Sequence, residues 1–170
     1  MSIRHGLLAL LSSAPRYGYQ LRVEFEASTG ATWPLNIGQV YTTLARLERD
    51  GLVAPGGADE QGRAVYTITE AGREELERWF STPVDHSDRP RDELAIKIAM
   101  AVAATDVDVG AVILAQRMAT MRTLQDLTRA KRAAGDGLAQ RLVLESMIFK
   151  AEAEQRWLDH CEAVVKEKNR

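Results

Sequence analysis

The chain has 170 residues, 45% of them apolar and 27% charged, a globular balance that excludes disorder along the whole length and allows one domain or two small ones. Its 22 Lys and Arg face 24 Asp and Glu, a net charge of −2, so no basic excess announces a nucleic-acid partner. The longest apolar run, about Ala99–Ala104, is too short to span a bilayer, Met1–Leu11 lacks a secretory pattern, and the single Cys161 excludes an intramolecular disulfide and suits a reducing cytoplasm.

Taken in order, Ile3–Leu11 reads as a short helix burying Leu7, Leu8, Leu10 and Leu11, broken over Ser12–Arg16 around Pro15. Tyr17–Ala27 reads as a second helix with Tyr17, Leu21 and Phe25 on one stripe, and Ser28–Pro34 as a turn. The third helix is the best signposted: Asn36 can cap it, Gln39 completes a capping box, and Gly51 stops it. Ile37, Val40, Leu44 and Leu47 fall on its inner side, flanked by Tyr41. Gly38, Gln39, Thr42, Thr43, Arg46 and Arg49 fall on its outer side.

Two short extended runs follow, Leu52–Ala54 and Arg63–Ile68, separated by a glycine-rich hairpin tip at Pro55–Gly62. Thr69 can cap a fourth helix, Glu70–Phe80, with Leu76, Trp79 and Phe80 as its buried positions, and Ser81–Pro90 reads as a linker. Beyond it, Asp92–Ala104 reads as a short helix. Asp106 or Asp108 starts a long one to about Ala133, Gly135–Gly137 turns the chain, and about Leu138–Lys166 closes it. Leu114, Met118 and Met121 in one long helix recur at packing intervals, as do Leu144, Met147, Leu158, Cys161 and Val165 in the other. Two such helices cannot bury both stripes against each other alone, so they predict an antiparallel hairpin that dimerises with a second copy.

The expected fold is therefore mainly α with a small β-hairpin wing: a winged helix-turn-helix over residues 1–82, a linker over 83–91, and a helical dimerisation domain over 92–170. In a winged helix-turn-helix the third helix enters the major groove and the hairpin meets the flanking backbone. The outer face suits that task. Gln39 can pair bidentately with adenine and Arg46 with guanine, while Thr42 and Thr43 offer a hydroxyl and a methyl. Gly38 permits close approach, Asn36 starts the helix, and Tyr41, Arg49 and the wing's Arg63 can reach phosphates, with Gln61 a weaker candidate. Trp33, Trp79 and Trp157 can wall an apolar effector pocket.

His160 and Cys161 are adjacent and diverge on a helix, and His5 and His86 are isolated, so no metal site is expected. Nor is there a phosphate loop or a nucleophile elbow, so neither cofactor nor enzyme is expected. The competing reading is a protein-interaction or ligand-binding module that keeps a winged-helix scaffold without binding DNA; the acidic N-terminal balance, with 8 Lys and Arg against 10 Asp and Glu in residues 1–82, motivates it.

The runs LLALLSSAPRYGYQL and TGATWPLNIGQVYTTLARLERDGLV, together with the stretch Gly62–Leu76, resemble the phenolic acid decarboxylase regulator, or PadR-like, family. Its features stand at Gly18–Tyr19, Trp33, Gly38, Tyr41, Leu44, Leu47–Glu48, Gly51–Leu52, Gly62–Arg63, Tyr66, Thr69 and Ala71–Gly72. The helical remainder is similar to the virulence-activator C-terminal region of longer members. The resemblance implies a homodimeric repressor, occasionally an activator, in the prokaryotic cytoplasm. It would bind inverted repeats in double-stranded DNA and be released by a small aromatic or hydrophobic effector. Two positions depart from the family: Thr42 stands where proline commonly follows the tyrosine, and Ala64–Val65 stand where basic residues often precede Tyr66.

Overall fold

The structure, a computed structural model, describes residues 3–30, 32–58, 61–85 and 92–168. The chain divides into two compact units, residues 1–85 and 86–170. Most of the expected linker, along with His86, lies outside the described residues.

Helix α1 (Ile3–Ser13) buries Leu7, Leu8 and Leu11. It runs past Leu11, where a break was expected, because the Ser12 and Ser13 hydroxyls donate back to the Ala9 and Leu10 carbonyls at 2.8 and 2.9 Å. Strand β1 (Arg16–Tyr17) then takes the start that was expected for the second helix. Helix α2 (Gly18–Ser28) begins one residue later, with Tyr17 as its extended N-cap and Leu21 and Phe25 buried. Helix α3 (Ile37–Arg49) has the expected capping box. Asn36 Oδ1 accepts from Gly38 N at 2.8 Å, and Gln39 Oε1 accepts from Asn36 N at 3.2 Å. It ends in a Schellman turn at Gly51, φ 72°, where Leu52 N donates to Leu47 O and Gly51 N to Glu48 O, both at 2.9 Å.

Strands β2 (Val53–Ala58) and β3 (Ala64–Ile68) form the hairpin, and β1 adds to the free edge of β3, giving the antiparallel order β1-β3-β2. Strand β2 reaches beyond its expected end at Ala54 because Pro55 still pairs with Tyr66 and a register shift before Ala58 absorbs the glycines. Helix α4 (Glu70–Ser81) is capped by Thr69, whose Oγ1 accepts from Gly72 N at 3.1 Å and donates to Gly51 O at 2.8 Å. Leu76 is buried, but Trp79 and Phe80 are exposed, Phe80 to 69%, contrary to expectation. The last turn of α4 simply outruns the core. That core joins Leu7, Leu8, Leu21, Val40, Leu44 and Leu47 with Leu52, Val53 and Ile68 from the wing's base.

The second unit contains α5 (Glu93–Ala103), α6 (Val109–Ala133) and α7 (Leu138–Lys168). Asp92 and Asp108 cap the first two through Ala95 N and Ala111 N, at 3.1 and 3.0 Å. Helices α6 and α7 are antiparallel. Lys131 meets Glu145 near the turn, Gln116 meets Glu154 further along, and Arg117 meets Asp159 and Glu162 near the far end. Ile98, Ile113 and Leu158 form the core, with Trp157, Cys161 and Val165 packed against it. Burial pushes the Cys161 thiol up, so it stays protonated. Among the described residues, no helix is long and apolar enough to cross a membrane, and no group of three His, Cys, Asp or Glu could hold a metal ion.

Candidate nucleic-acid interface

Burial fixes which way α3 faces. Val40, Leu44 and Leu47 are fully buried, so Gly38, Gln39, Thr42 and Arg46 project outward and are exposed. Ile37, expected on the inner stripe, is also exposed. It occupies the first helical position, where the side chain leans back toward the N-terminus and past the edge of the core.

The outer face is less uniformly available than the residue types suggested. The Gln39 amide oxygen accepts from Asn36 N, which ties the side chain back to the start of the helix and leaves one lone pair and the NH2 group uncommitted. Thr43 is half-buried and its hydroxyl donates to Gln39 O at 2.7 Å. Thr42 and Arg46 are exposed, and Arg46 forms no ion pair or hydrogen bond with a described residue. Arg49 Nε lies 3.4 Å from Asp50 Oδ1, while Asp50 is held more closely by Arg4, whose Nη1 is 2.6 Å from Oδ2. The acids flanking the face thus leave Arg46 unneutralised.

Around this helix, aromatic rings set the spacing. The Tyr41 ring comes so close to Gly18 that a Cβ there would lie 2.8 Å from it. Glycine there leaves room for the Tyr41 ring to lie over the start of α2; a larger residue would displace the ring. Tyr66 sits beside it on β3. Burial first, then the charges of Glu48 and Tyr41, raise its phenol above the ordinary value of 10.0, so it remains a neutral donor. On the wing, the Arg63 guanidinium carbon lies 3.8 Å from the centroid of the Tyr17 ring, a cation–π stack.

The remaining predicted residues fall in different surroundings. Trp79 stacks on His5 with rings parallel to within 2° and centroids 5.1 Å apart, and it also meets Phe80. Trp33 is exposed in the turn before α3, and Trp157 packs into the core of the second unit. Of the eight residues expected at a dimer face, Leu158 and Leu144 are buried within their own chain. Cys161 and Val165 pack on the cluster around Leu158, and Met147 is half-buried. A side chain already enclosed by its own chain has no surface left for a second copy, so the expectation is corrected for Leu144 and Leu158. Leu114, Met118 and Met121 are different, exposed to 56%, 56% and 45%. They line an open apolar groove with Arg117, Arg122 and Gln155, and the Gln155 Oε1 is buried there without a hydrogen-bond partner.

Sequence reasoning missed the Tyr17–Arg63 stack, the Arg4–Asp50 pair and the His5–Glu75 contact at 3.0 Å. Each joins residues far apart in the chain, and no local pattern marks them.

Comparison with known proteins agrees with this architecture. Residues 7–78 match the transcriptional regulator PadR-like family, and residues 90–166 match the virulence activator alpha C-term family. The probable transcriptional regulator Rv1176c of Mycobacterium tuberculosis is 31% identical, over 99% of this chain and 100% of that protein. The Vibrio cholerae virulence activator AphA superposes with a TM-score of 0.72 at 26% identity, covering 98% of this chain and 99% of its own. Bacillus subtilis PadR, solved in complex with operator DNA, superposes at 0.73 and, solved with p-coumaric acid, at 0.76. Identity is 19% in both cases, covering 97% and 98% of this chain and 99% of the other, and at that level the likeness is one of fold.

Proposed function

This chain belongs to the PadR-like family of transcriptional regulators, and we propose that it is a homodimeric repressor that reads an inverted repeat through α3. It is a regulator and not an enzyme. The observation that carries the reading is Arg46, exposed in the middle of the outer face and unpaired with any described residue. A guanidinium so placed can meet guanine O6 and N7 in the major groove. Thr42 lies one turn before it and Gly38 another turn before that, so small or short groups flank the arginine and let the helix seat deeply. Asn36, Gln39 and Thr43 shape the start of the helix, while Tyr41, Arg49 and Arg63 contact phosphates.

The dimer forms through Leu114, Met118 and Met121, with Met147 at its margin. Exposed apolar area at three positions one helical stripe apart supports it. A small hydrophobic or aromatic effector releases the DNA. Bacillus subtilis PadR, of the same fold, was solved with p-coumaric acid, and the exposed Trp33, together with the part of Trp79 that its stack on His5 leaves exposed, offers aromatic surface in the first unit, with Trp157 as the aromatic of the second. The regulator acts in the cytoplasm on double-stranded DNA and needs no metal or cofactor.

Selection from random duplexes tests the reading. It is expected to return a two-fold symmetric site with half-sites about one helical turn, or a multiple, apart. Affinity for that site is expected to fall steeply as salt rises, because bound phosphates release counterions. No measurable duplex affinity at low salt would contradict it.

A further inference from the structure

We propose that Tyr17 is a positioning residue for the DNA backbone: its ring is the platform that aims the wing's only arginine, Arg63, at a phosphate. The inference rests on the DNA-binding reading above and deepens it, because nothing in that reading gives Tyr17 a role.

The argument starts from the sheet. Strand β1 is two residues long, and Tyr17 faces Val65 across the ladder to β3. Arg63 lies two residues before Val65, so it is the diagonal neighbour of Tyr17 on the same face of the pair, within reach of a long side chain. The two do meet, with the guanidinium carbon 3.8 Å from the ring centroid. Arg63 itself is exposed and Tyr17 is half-buried, so the ring is the fixed partner and the guanidinium the presented one.

A two-residue strand adds little ladder to a sheet. What β1 does add is the placement of Tyr17 beneath the wing. The neighbouring residue extends the logic, because Gly18 accepts the Tyr41 ring of α3 at a distance that excludes a Cβ. The dipeptide Tyr17–Gly18 therefore touches both parts of the interface, the wing through Arg63 and α3 through Tyr41.

Placement matters more here than in a cation-rich wing. Alanine and valine occupy the positions after Arg63, so one guanidinium must do what several cations can share. An arginine loses rotamer freedom when it binds a phosphate, and stacking on a ring orders the plane of the guanidinium beforehand, so less freedom is lost per contact formed.

The test measures operator binding by full-length protein across a salt series, with thermal melts to confirm folding. Arg63→Ala is expected to weaken binding about five- to eightfold near ~0.1 M salt and to lower the salt slope by about 0.9, the loss of one phosphate contact. Tyr17→Leu is expected to weaken it about two- to fivefold, whereas Tyr17→Phe, which keeps the ring, binds as wild type. Because Tyr17 acts through Arg63, the double variant Tyr17→Leu/Arg63→Ala binds no more weakly than Arg63→Ala alone. Base preference is unchanged throughout. Wild-type affinity in Tyr17→Leu, wild-type affinity in Arg63→Ala, or additive losses in the double variant would overturn the proposal. Should Tyr17→Leu fail to fold, Arg63→Lys decides. It alters an exposed side chain, keeps the charge and removes the planar group; weaker binding is expected, and wild-type binding overturns the proposal. Failure of the wild-type protein to bind any duplex overturns the regulator reading itself, and is seen before any variant is made.

Discussion

Arg4 and Asp50 are joined by a hydrogen-bonded ion pair, with Nη1 2.6 Å from Oδ2, that ties the first turn of α1 to the residue closing α3. Asp50 lies at the negative end of α3, where a carboxylate is disfavoured by the helix dipole. The arginine offsets that, so the end of the proposed reading helix is anchored to the core helix beneath it.

A pH dependence follows. The hydrogen bond from Arg4 holds the Asp50 carboxyl below its ordinary value of 3.8, and the one from His5 holds Glu75 below 4.5. A carboxyl depressed in the folded state contributes stability that is fully present above its unfolded value and is lost as pH falls through its folded value. The melting temperature is therefore expected to drop as pH falls from about 5 toward 3, and the drop is shallower in Arg4→Met, which has already lost the Asp50 contribution. Both side chains of the pair are about a third exposed, so the difference is small. Parallel pH–melting curves for the two proteins would show that the pair does not contribute.

Helix α4 meets the wing's base with no room to spare. A Cβ on Gly72 would lie 2.2 Å from the Leu52 carbonyl oxygen and 2.7 Å from the Ile68 side chain. The carbonyl cannot move freely, because it accepts from Thr69 N at 3.1 Å. Gly72→Ala is expected to destabilise the protein by about 1–3 kcal/mol in denaturant unfolding, despite the better helix propensity of alanine. A neutral or stabilising result would mean that α4 can slide.

The exposed stripe on α6 makes a prediction about assembly. Met118→Asp places a charge in the apolar groove without touching the buried core of either unit. It is expected to give a folded monomer by light scattering at micromolar concentration, with operator affinity much reduced because each half-site is then bound singly. An unchanged dimer would move the interface elsewhere.

Legibility in the sequence followed the range of the interactions. Helix α3 was readable to its caps because Asn36, Gln39 and Gly51 act within a few residues of one another. Strand β1 was not, since two residues show no period and its partner Tyr66 lies far along the chain. Trp79 and Phe80 looked like core because they are large and apolar, but nothing local reports where the core ends. The apolar stripes of α6 and α7 were visible as stripes. Spacing cannot say whether a stripe packs inside the chain, as Leu158 does, or outside it, as Met118 does. For the reading face, residue types were legible, whereas the ties on Gln39 and Thr43 required coordinates.

The direct test of the reading helix is a binding titration of Arg46→Ala on the selected operator and on sites carrying each base substitution. Arg46 is exposed and unpaired with any described residue, so the variant is expected to melt as wild type does. It is expected to bind the operator about 1–3 kcal/mol more weakly and to lose discrimination at one base pair per half-site. Equal affinity and equal discrimination in the two proteins would contradict the assignment of α3 as the element that reads DNA.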